Sequence, residues 1–389
     1  MNERSAPRPM AGSRENTGVS IVHVEGASAL RIFIHLSANL PDRRANYVPP
    51  VWADEEAFHD PERNTALRDC SFIRLLAYRD GSAVGRVMGL VHHAYNRLHG
   101  ERSARFHQLD AVNDPAVVRA LLQAVEQWAS GLGMDRIVGP FGLSDKDPQG
   151  FQVQGFEHLP VLATPTNPPH LPEILSALGY APFFDALSYR LPIPDELPEI
   201  YFRIAQRVTD QGHFHLVPIT SKRALRPWVL PVLRLVNMAY ADLYGFIPMT
   251  ELEMKHLADQ YMALLDPRLV KLVVDQHDEP MAFVVAMPDM SEGLQQARGR
   301  IWPFGWWHIL RSMRRSRQLD LFLGAVHPSV QGRGLTCLLG VELMAEARRR
   351  GMEVMDSHLV LESNVRMRAE LERLGASIYK RYRVFQRTL

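Results

Sequence analysis

Gln331, Gly332, Arg333 and Gly334 stand between an apolar run, residues 319–326, and an amphipathic stretch, residues 335–350. A strand that runs into a glycine turn and straight on into a helix leaves first-turn N–H groups unsatisfied at the positive end of the helix dipole. Such a junction suits a phosphate or pyrophosphate. Glycine at 332 and 334 lets the backbone come close, because a Cβ would stand between the amides and the anion's oxygens.

The elements that must hold this junction can be read from periodicity and turn signals. In the first half these give a helix over residues 29–40, a hairpin of residues 72–78 and 83–91 across Asp80-Gly81, and a strand over 104–112. Asp114-Pro115 then opens a helix over 116–132. Strands follow at 136–138, 161–164 and 183–191, with a short helix over 171–178 between the last two. The Pro-rich residues 191–198 read as a semi-rigid linker.

Beyond the linker the order largely recurs, with a strand near 215–218, helices over 228–240 and 251–263, a hairpin of 269–275 and 281–287, and then the strand, glycine turn and helix. A strand over 353–359, a helix over 365–374 and a strand over 378–385 close the chain. The expected class is α/β, a mixed sheet built from two units in tandem. The expected division is a disordered tail at 1–18, a first domain at 19–194 and a second at 195–389, consistent with 389 residues exceeding the usual size of one core.

Composition limits the function. Forty-four basic against 43 acidic side chains provide no overall field that would call for nucleic acid. Two distant cysteines, Cys70 and Cys337, make neither a disulfide framework nor a metal cluster, so a reducing compartment, the cytoplasm, and no metal are expected. The polar N-terminal residues offer no signal peptide, and no apolar run is long enough to span a membrane.

The phrase Val326-His327-Pro328-Ser329-Val330-Gln331-Gly332-Arg333-Gly334-Leu335, together with its strand and helix, resembles the acyl-CoA motif of GNAT acyltransferases. Thr336 departs from the Gly or Ala usual there. The resemblance implies tandem GNAT-like folds and an acyl-CoA co-substrate, acetyl or longer. It implies that Gln331, Gly332, Arg333, Gly334, Leu335 and Thr336 hold the pyrophosphate, while backbone N–H near Ala325 and Val326 polarises the thioester carbonyl. It also implies that the chain parts from its neighbour near Glu362-Ser363-Asn364 to admit the pantetheine. Leu371 stands where many members carry the tyrosine that protonates the departing thiolate.

Attack of an amine on a thioester needs an oxyanion donor, a route for the amine proton and a stabilised thiolate. Glu362, Asn364 and Tyr382 are the chosen catalytic candidates, with His327 and His358 as further bases and Tyr379 as a further acid. The two histidines weigh more toward structural roles, and Glu362 divides between base and helix cap.

The first half lacks the glycine turn. Its strand-to-helix junction carries Asp110, Asp114 and Pro115, which would repel an anion and remove a donor, so this half is expected to bind substrate or to act as scaffold rather than to hold CoA. The turn-rich residues 139–150 read as a shaped loop.

Residues 297–318 hold three of the six tryptophans, Trp302, Trp306 and Trp307, with six arginines. That composition suits a membrane surface, an acyl tunnel or an acyl carrier protein; the alternative is a helix with its Trp face on the core. Residues 244–251, Pro303-Phe304-Gly305-Trp306 and residues 379–384 add to a resemblance, over nearly the whole chain, to bacterial tandem GNAT-like proteins. Some of that group resemble sphingolipid N-acyltransferases, the ceramide synthases. The expected activity is therefore acyl-CoA or acyl-carrier-protein dependent transfer to an amine, with a long-chain lipid amine as the candidate acceptor. The rivals are a non-catalytic CoA-binding or regulatory protein and, with less support, an aminoacyl-tRNA-dependent transferase.

Overall fold

A computed structural model describes residues 18–41 and 45–389, so the tail expected at 1–18 lies, except for Gly18, outside the described residues. The first half runs β1 (Ser20–His23), α1 (Gly26–Asn39), α2 (Trp52–Phe58), β2 (Cys70–Arg79), β3 (Ser82–His92), α3 (His93–His99), β4 (Ser103–Ala111), α4 (Pro115–Gly131), β5 (Arg136–Gly139), β6 (Phe151–Gln154), α5 (His170–Ala177) and β7 (Ala181–Pro192). The second runs α6 (Glu199–Asp210), β8 (Phe214–Leu216), α7 (Lys222–Leu225), α8 (Val229–Ala239), α9 (Glu251–Met262), β9 (Val270–Asp275), β10 (Pro280–Pro288), α10 (Ser291–Ala297), α11 (Gly305–Arg315), β11 (Gln318–Val326), α12 (Leu335–Arg349), β12 (Val354–Asp356), β13 (Val360–Leu361), α13 (Val365–Arg373) and β14 (Ser377–Thr388).

These strands form one mixed sheet, in the order β1-β2-β3-β4-β5-β14-β7-β12-β11-β10-β9-β8. The two long closing strands are exchanged: β14 from the end of the chain pairs with β5, and β7 from the first half pairs with β12. They also pair with each other from Ser377↔Arg190 to Gln386↔Ala181. Backbone N–H and C=O groups that would form two open edges are thereby satisfied in the middle of the molecule.

Apolar residues alternate to the two faces of each half. In the first, Leu75, Val87 and Phe106 meet α4 through Val117, Leu121 and Val125, while Leu76, Met88 and Leu90 meet α1 through Phe33 and Leu36. In the second, Leu272 and Phe283 meet α8, while Val273 and Ala282 meet α6 and α12.

One expectation is corrected. Residues 161–164 are not a strand: Pro160 and Pro165 bracket a turn closed by Thr164 N–H donating to Val161 O at 3.1 Å. Beyond the linker, residues to which no element was assigned form a helix, α6, with Tyr201, Ala205 and Val208 buried at helical spacing.

In each half a parallel strand pair lasts three rungs and then splits. β4 and β5 pair through Arg105↔Val138, and β11 and β12 through Asp320↔Asp356. The first split is closed, because Phe141 N–H donates to Phe106 O at 2.8 Å and the buried Arg105 guanidinium donates to Gly142 O and Leu143 O. The second stays open. Beyond Asp356 the chain turns at His358 (φ 56°), and β13 pairs with β7 instead. Among the described residues no strand pairs with that edge of β11 from Leu321 to Val326.

Candidate active site

The glycine turn lies just beyond the open edge. The His327 side chain accepts from Ser329 N–H at 3.2 Å, and Val330 is buried, which anchors the loop between β11 and α12. Gln331, Gly332, Arg333 and Thr336 are exposed, and Leu335 is buried beneath them. Among the described residues nothing accepts from the amides of Gln331, Gly332, Gly334, Leu335 or Thr336. These free donors lie at the start of a fifteen-residue helix, an arrangement suited to an anion. Arg366 on α13 adds a cation nearby, donating to Gln331 Oε1 at 3.3 Å.

The two glycines serve different ends. Gly332 has φ +79°, and a Cβ there would meet open space. Gly334 has φ +87°, but its Cβ would lie 2.5 Å from Ile204 Cγ2 on α6. The expectation that both keep a Cβ away from the anion is thus corrected for Gly334, whose constraint is helix packing. Strand alternation also separates Ala325 from Val326. His327 N–H binds Met281 O at 2.8 Å, so the N–H of Val326 points into the open split and that of Ala325 toward β10.

At the last rung before the split, Asp320 and Asp356 face each other across the strands, both buried. Tyr379 donates to Asp356 Oδ2, and Gln318 donates to Asp320 Oδ1 at 2.8 Å. The fully buried Lys380 donates to Leu159 O at 2.6 Å, within electrostatic reach of both carboxylates and of Asp289. Burial first, then Asp289 and Asp356, push Asp320 well above the usual carboxylate range. Burial likewise lowers Lys380 and raises Tyr379. A charged residue inside the apolar run Leu319-Asp320-Leu321 was the sequence signal for this cluster.

Phe322, on the open part of β11, rests against Tyr261 (5.3 Å between ring centres) and His358 (5.9 Å). Tyr240 donates to Gly324 O at 2.8 Å. Tyr47, Glu55 and Asp147 from the first half and Tyr240, Tyr261 and His358 from the second are half-buried.

The three residues chosen for proton transfer have structural partners. Asn364 caps α13, accepting from Met367 N–H at 3.2 Å. Glu362 accepts from Arg381 at 3.0 Å, and Arg381 also binds the buried Asp185. Tyr382, adjacent to Arg381 on β14 and so on the opposite face, is fully buried beside Thr164. His358 reaches Leu162 O at 2.9 Å. Leu371, buried among Leu187, Tyr189 and Val360, offers no hydroxyl to a thiolate.

In the Trp/Arg segment, α10 and α11 pack so closely that a Cβ on Gly293 would lie 2.6 Å from Ile309 Cα. The tryptophans are not on the core: Trp302 is 77% exposed, Trp306 43% and Trp307 48%. No group of three or more His, Cys, Asp or Glu side chains among the described residues could hold a metal ion.

At the corresponding place in the first half, Asp114 accepts from Ala116 N–H at 2.8 Å and pairs with Arg79 at 2.5 Å. That helix start is occupied by the chain's own carboxylate.

One mixed sheet built from two halves of this topology, a split between parallel strands and a glycine turn on the helix beside it define a tandem GNAT-type fold. A solved tandem GNAT protein from the clavulanic acid biosynthesis pathway superposes with a TM-score of 0.50 and 15% identity, over 95% of this chain and 98% of its own. In sequence the chain is similar to the bacterial ceramide synthase of Caulobacter vibrioides, 28% identical over 382 residues, 96% of this chain and 98% of that protein. It is also similar to protein YghO of Escherichia coli, 25% identical over 371 residues, 92% and 93% of the two chains. No protein-family model matches it.

Proposed function

We propose that this protein is an N-acyltransferase that moves an acyl group from acyl-CoA directly to the amine of a long-chain lipid. The observation that carries the reading is the contrast between the two helix starts, α12 with free amides beside an open split and α4 filled by Asp114. In this reading residues 195–389 hold the co-substrate and residues 19–194 shape the acceptor side. Gln331–Thr336 bind the pyrophosphate, the pantetheine lies along the open edge of β11, and the Val326 N–H donates to the thioester oxygen. Asp320, at the base of the split and held well above the usual carboxylate range, supplies a proton to the thiolate in place of the hydroxyl missing at Leu371.

The full-length similarity to a ceramide synthase supports a lipid amine as acceptor. Ile301, Trp302, Phe304, Trp306, Trp307 and Leu310 form an exposed apolar surface flanked by Arg311, Arg314 and Arg315, a composition that supports contact with an anionic membrane or an acidic acyl carrier protein. No helix among the described residues is long and apolar enough to cross a membrane, and the proposed location is the cytoplasm, on the inner membrane face. Flotation with anionic vesicles tests that contact, which a Trp302→Ala, Trp307→Ala double variant should weaken about tenfold or more.

The test of activity is mass spectrometry of purified protein incubated with palmitoyl-CoA and sphinganine, where the amide is the expected product. Tight CoA binding without amide from any of a panel of amines would favour the rival reading, a CoA-binding protein without transfer, which the apolar surroundings of Leu371 support.

A further inference from the structure

The proposed transfer leaves one role unfilled in the second half, because the acceptor reaches the thioester as an ammonium and must lose a proton before it can attack. We propose that the first half supplies the proton acceptor, the carboxylate of Glu55 on α2, held in place by Gln108 on β4. This rests on the N-acyltransferase reading and adds a catalytic residue to it.

The placement follows from helix geometry. Val51, which precedes the first turn of α2, packs in the same cluster as Phe322 on the open part of β11. Glu55 lies four residues further on, on the same side of α2 and about 6 Å along its axis. Tyr261, whose ring lies against Phe322, is within electrostatic reach of Asp54 and Asp147, and Asp147 in turn of Glu55. Glu55 is thus a first-half carboxyl on the acceptor side of the second-half split.

Gln108 is built to orient it. Both halves carry a bulge at corresponding places, at Phe322 on β11 and at Gln108 on β4, where the register with the neighbouring strand slips. Gln108 takes a left-handed backbone (φ 50°), which a residue with a side chain adopts only when its surroundings force it. It donates from Nε2 to Glu55 Oε2 at 2.7 Å. Gln108 Oε1 and both ring nitrogens of His59 are buried, and the His59 ring is the neighbouring partner for the Gln108 amide, holding it so that Nε2 faces the carboxylate.

The charges around Glu55 suit the role. Burial pushes its carboxyl up to about 6; Arg86 on β3 opposes this, Asp110 on β4 and Asp147 beyond β5 add to it, and the Gln108 hydrogen bond opposes it. His59 and His107 stay neutral, both held down by burial to about 3. Tyr47 is raised by burial to about 12. Near neutral pH Glu55 is therefore ionised but close to its own titration, as a general base should be.

The step balances without a further reactant. Glu55 takes one proton from R–NH3+, and the nitrogen lone pair then attacks the thioester carbon. The C–N bond forms, the C–S bond breaks, Asp320 protonates the departing thiolate, and the second amine proton restores Asp320 as the amide is released. Glu55 returns its proton to solvent.

The experiment is the pH–rate profile for palmitoyl-CoA and sphinganine, with wild type beside Glu55→Gln, Glu55→Asp and Gln108→Leu and with CoA affinity measured for each. The expected wild-type rate rises with pH through an ionisation near 6. Glu55→Gln loses that limb and ~100- to 1,000-fold in kcat/KM with CoA affinity unchanged, and Glu55→Asp recovers part of the rate. Gln108→Leu moves the limb to higher pH, because its hydrogen bond favours the ionised form. A Glu55→Gln enzyme that keeps the limb and a rate within threefold of wild type overturns the assignment and leaves the N-acyltransferase reading standing. A wild type that forms no amide overturns both.

Discussion

Adding a single methyl group at position 334 should cost far more than adding one at position 332, two residues away in the same turn. Both glycines hold a left-handed backbone, so Gly→Ala at either place carries about 1–2 kcal/mol of backbone strain. At Gly332 nothing lies within 4 Å of the new carbon, and the strain is the whole effect. At Gly334 the carbon would sit 2.5 Å from Ile204 Cγ2 and 3.3 Å from Val208 Cγ2, so α6 must shift or the start of α12 must. Overpacking of this kind costs a further ~1–3 kcal/mol, giving ~2–5 kcal/mol in all. Urea unfolding of the two variants measures the difference. The double variant Ile204→Ala, Gly334→Ala should be more stable than the sum of its parts by ~1 kcal/mol, since removing Cγ2 makes room for the methyl group. Equal destabilisation by the two glycine substitutions, or strict additivity in the double variant, would refute the account of α6 as the constraint on Gly334.

Two further predictions concern buried carboxylates of opposite sign. Burial alone would raise Asp185, but hydrogen bonds from Arg383 and Arg381 outweigh it and hold the group below the usual range. Its stabilisation is therefore present above the unfolded-state value near 4 and lost as pH falls through the folded value, and Asp185→Asn should cost about 2–4 kcal/mol at pH 7 but little near pH 2 by thermal or urea unfolding. Asp320 behaves in the other direction: its folded-state value is raised, so the folded protein loses stability as pH climbs above about 4 toward that value. Asp320→Asn should unfold at higher urea than wild type at pH 8, with the gap narrowing toward pH 4, while amide formation falls; a variant with unchanged activity would remove Asp320 from the chemistry.

Local order was legible in the sequence wherever one short-range signal dominated. Asp80-Gly81 produced the β2–β3 hairpin, and Asp114-Pro115 started α4 with the carboxylate on Ala116 N–H. The glycine turn ran from strand to helix as the motif implied. Readings failed where the deciding partner was remote. α6 followed a Pro-rich segment that masked it, and its apolar face is meaningful only against α12. Residues 161–164 read as a strand by composition, but no neighbour offers them a ladder. The Trp/Arg segment was ambiguous because periodicity alone does not say which face of a helix meets the core; close packing of α10 on α11 turned the tryptophans outward.

Sequence alone determined the GNAT-type turn at Gln331–Gly334, because helix N-terminal donors and left-handed glycines are properties of a few consecutive residues. Only the tertiary structure decided that β7 and β14 exchange places, that one split is plugged by Phe141 while the other stays open, and that Glu55 on α2 accepts from Gln108 on β4. Each of those outcomes depends on which segments, far apart in the chain, bury the same apolar surface and satisfy the same strand edges, and no spacing along the sequence encodes that choice.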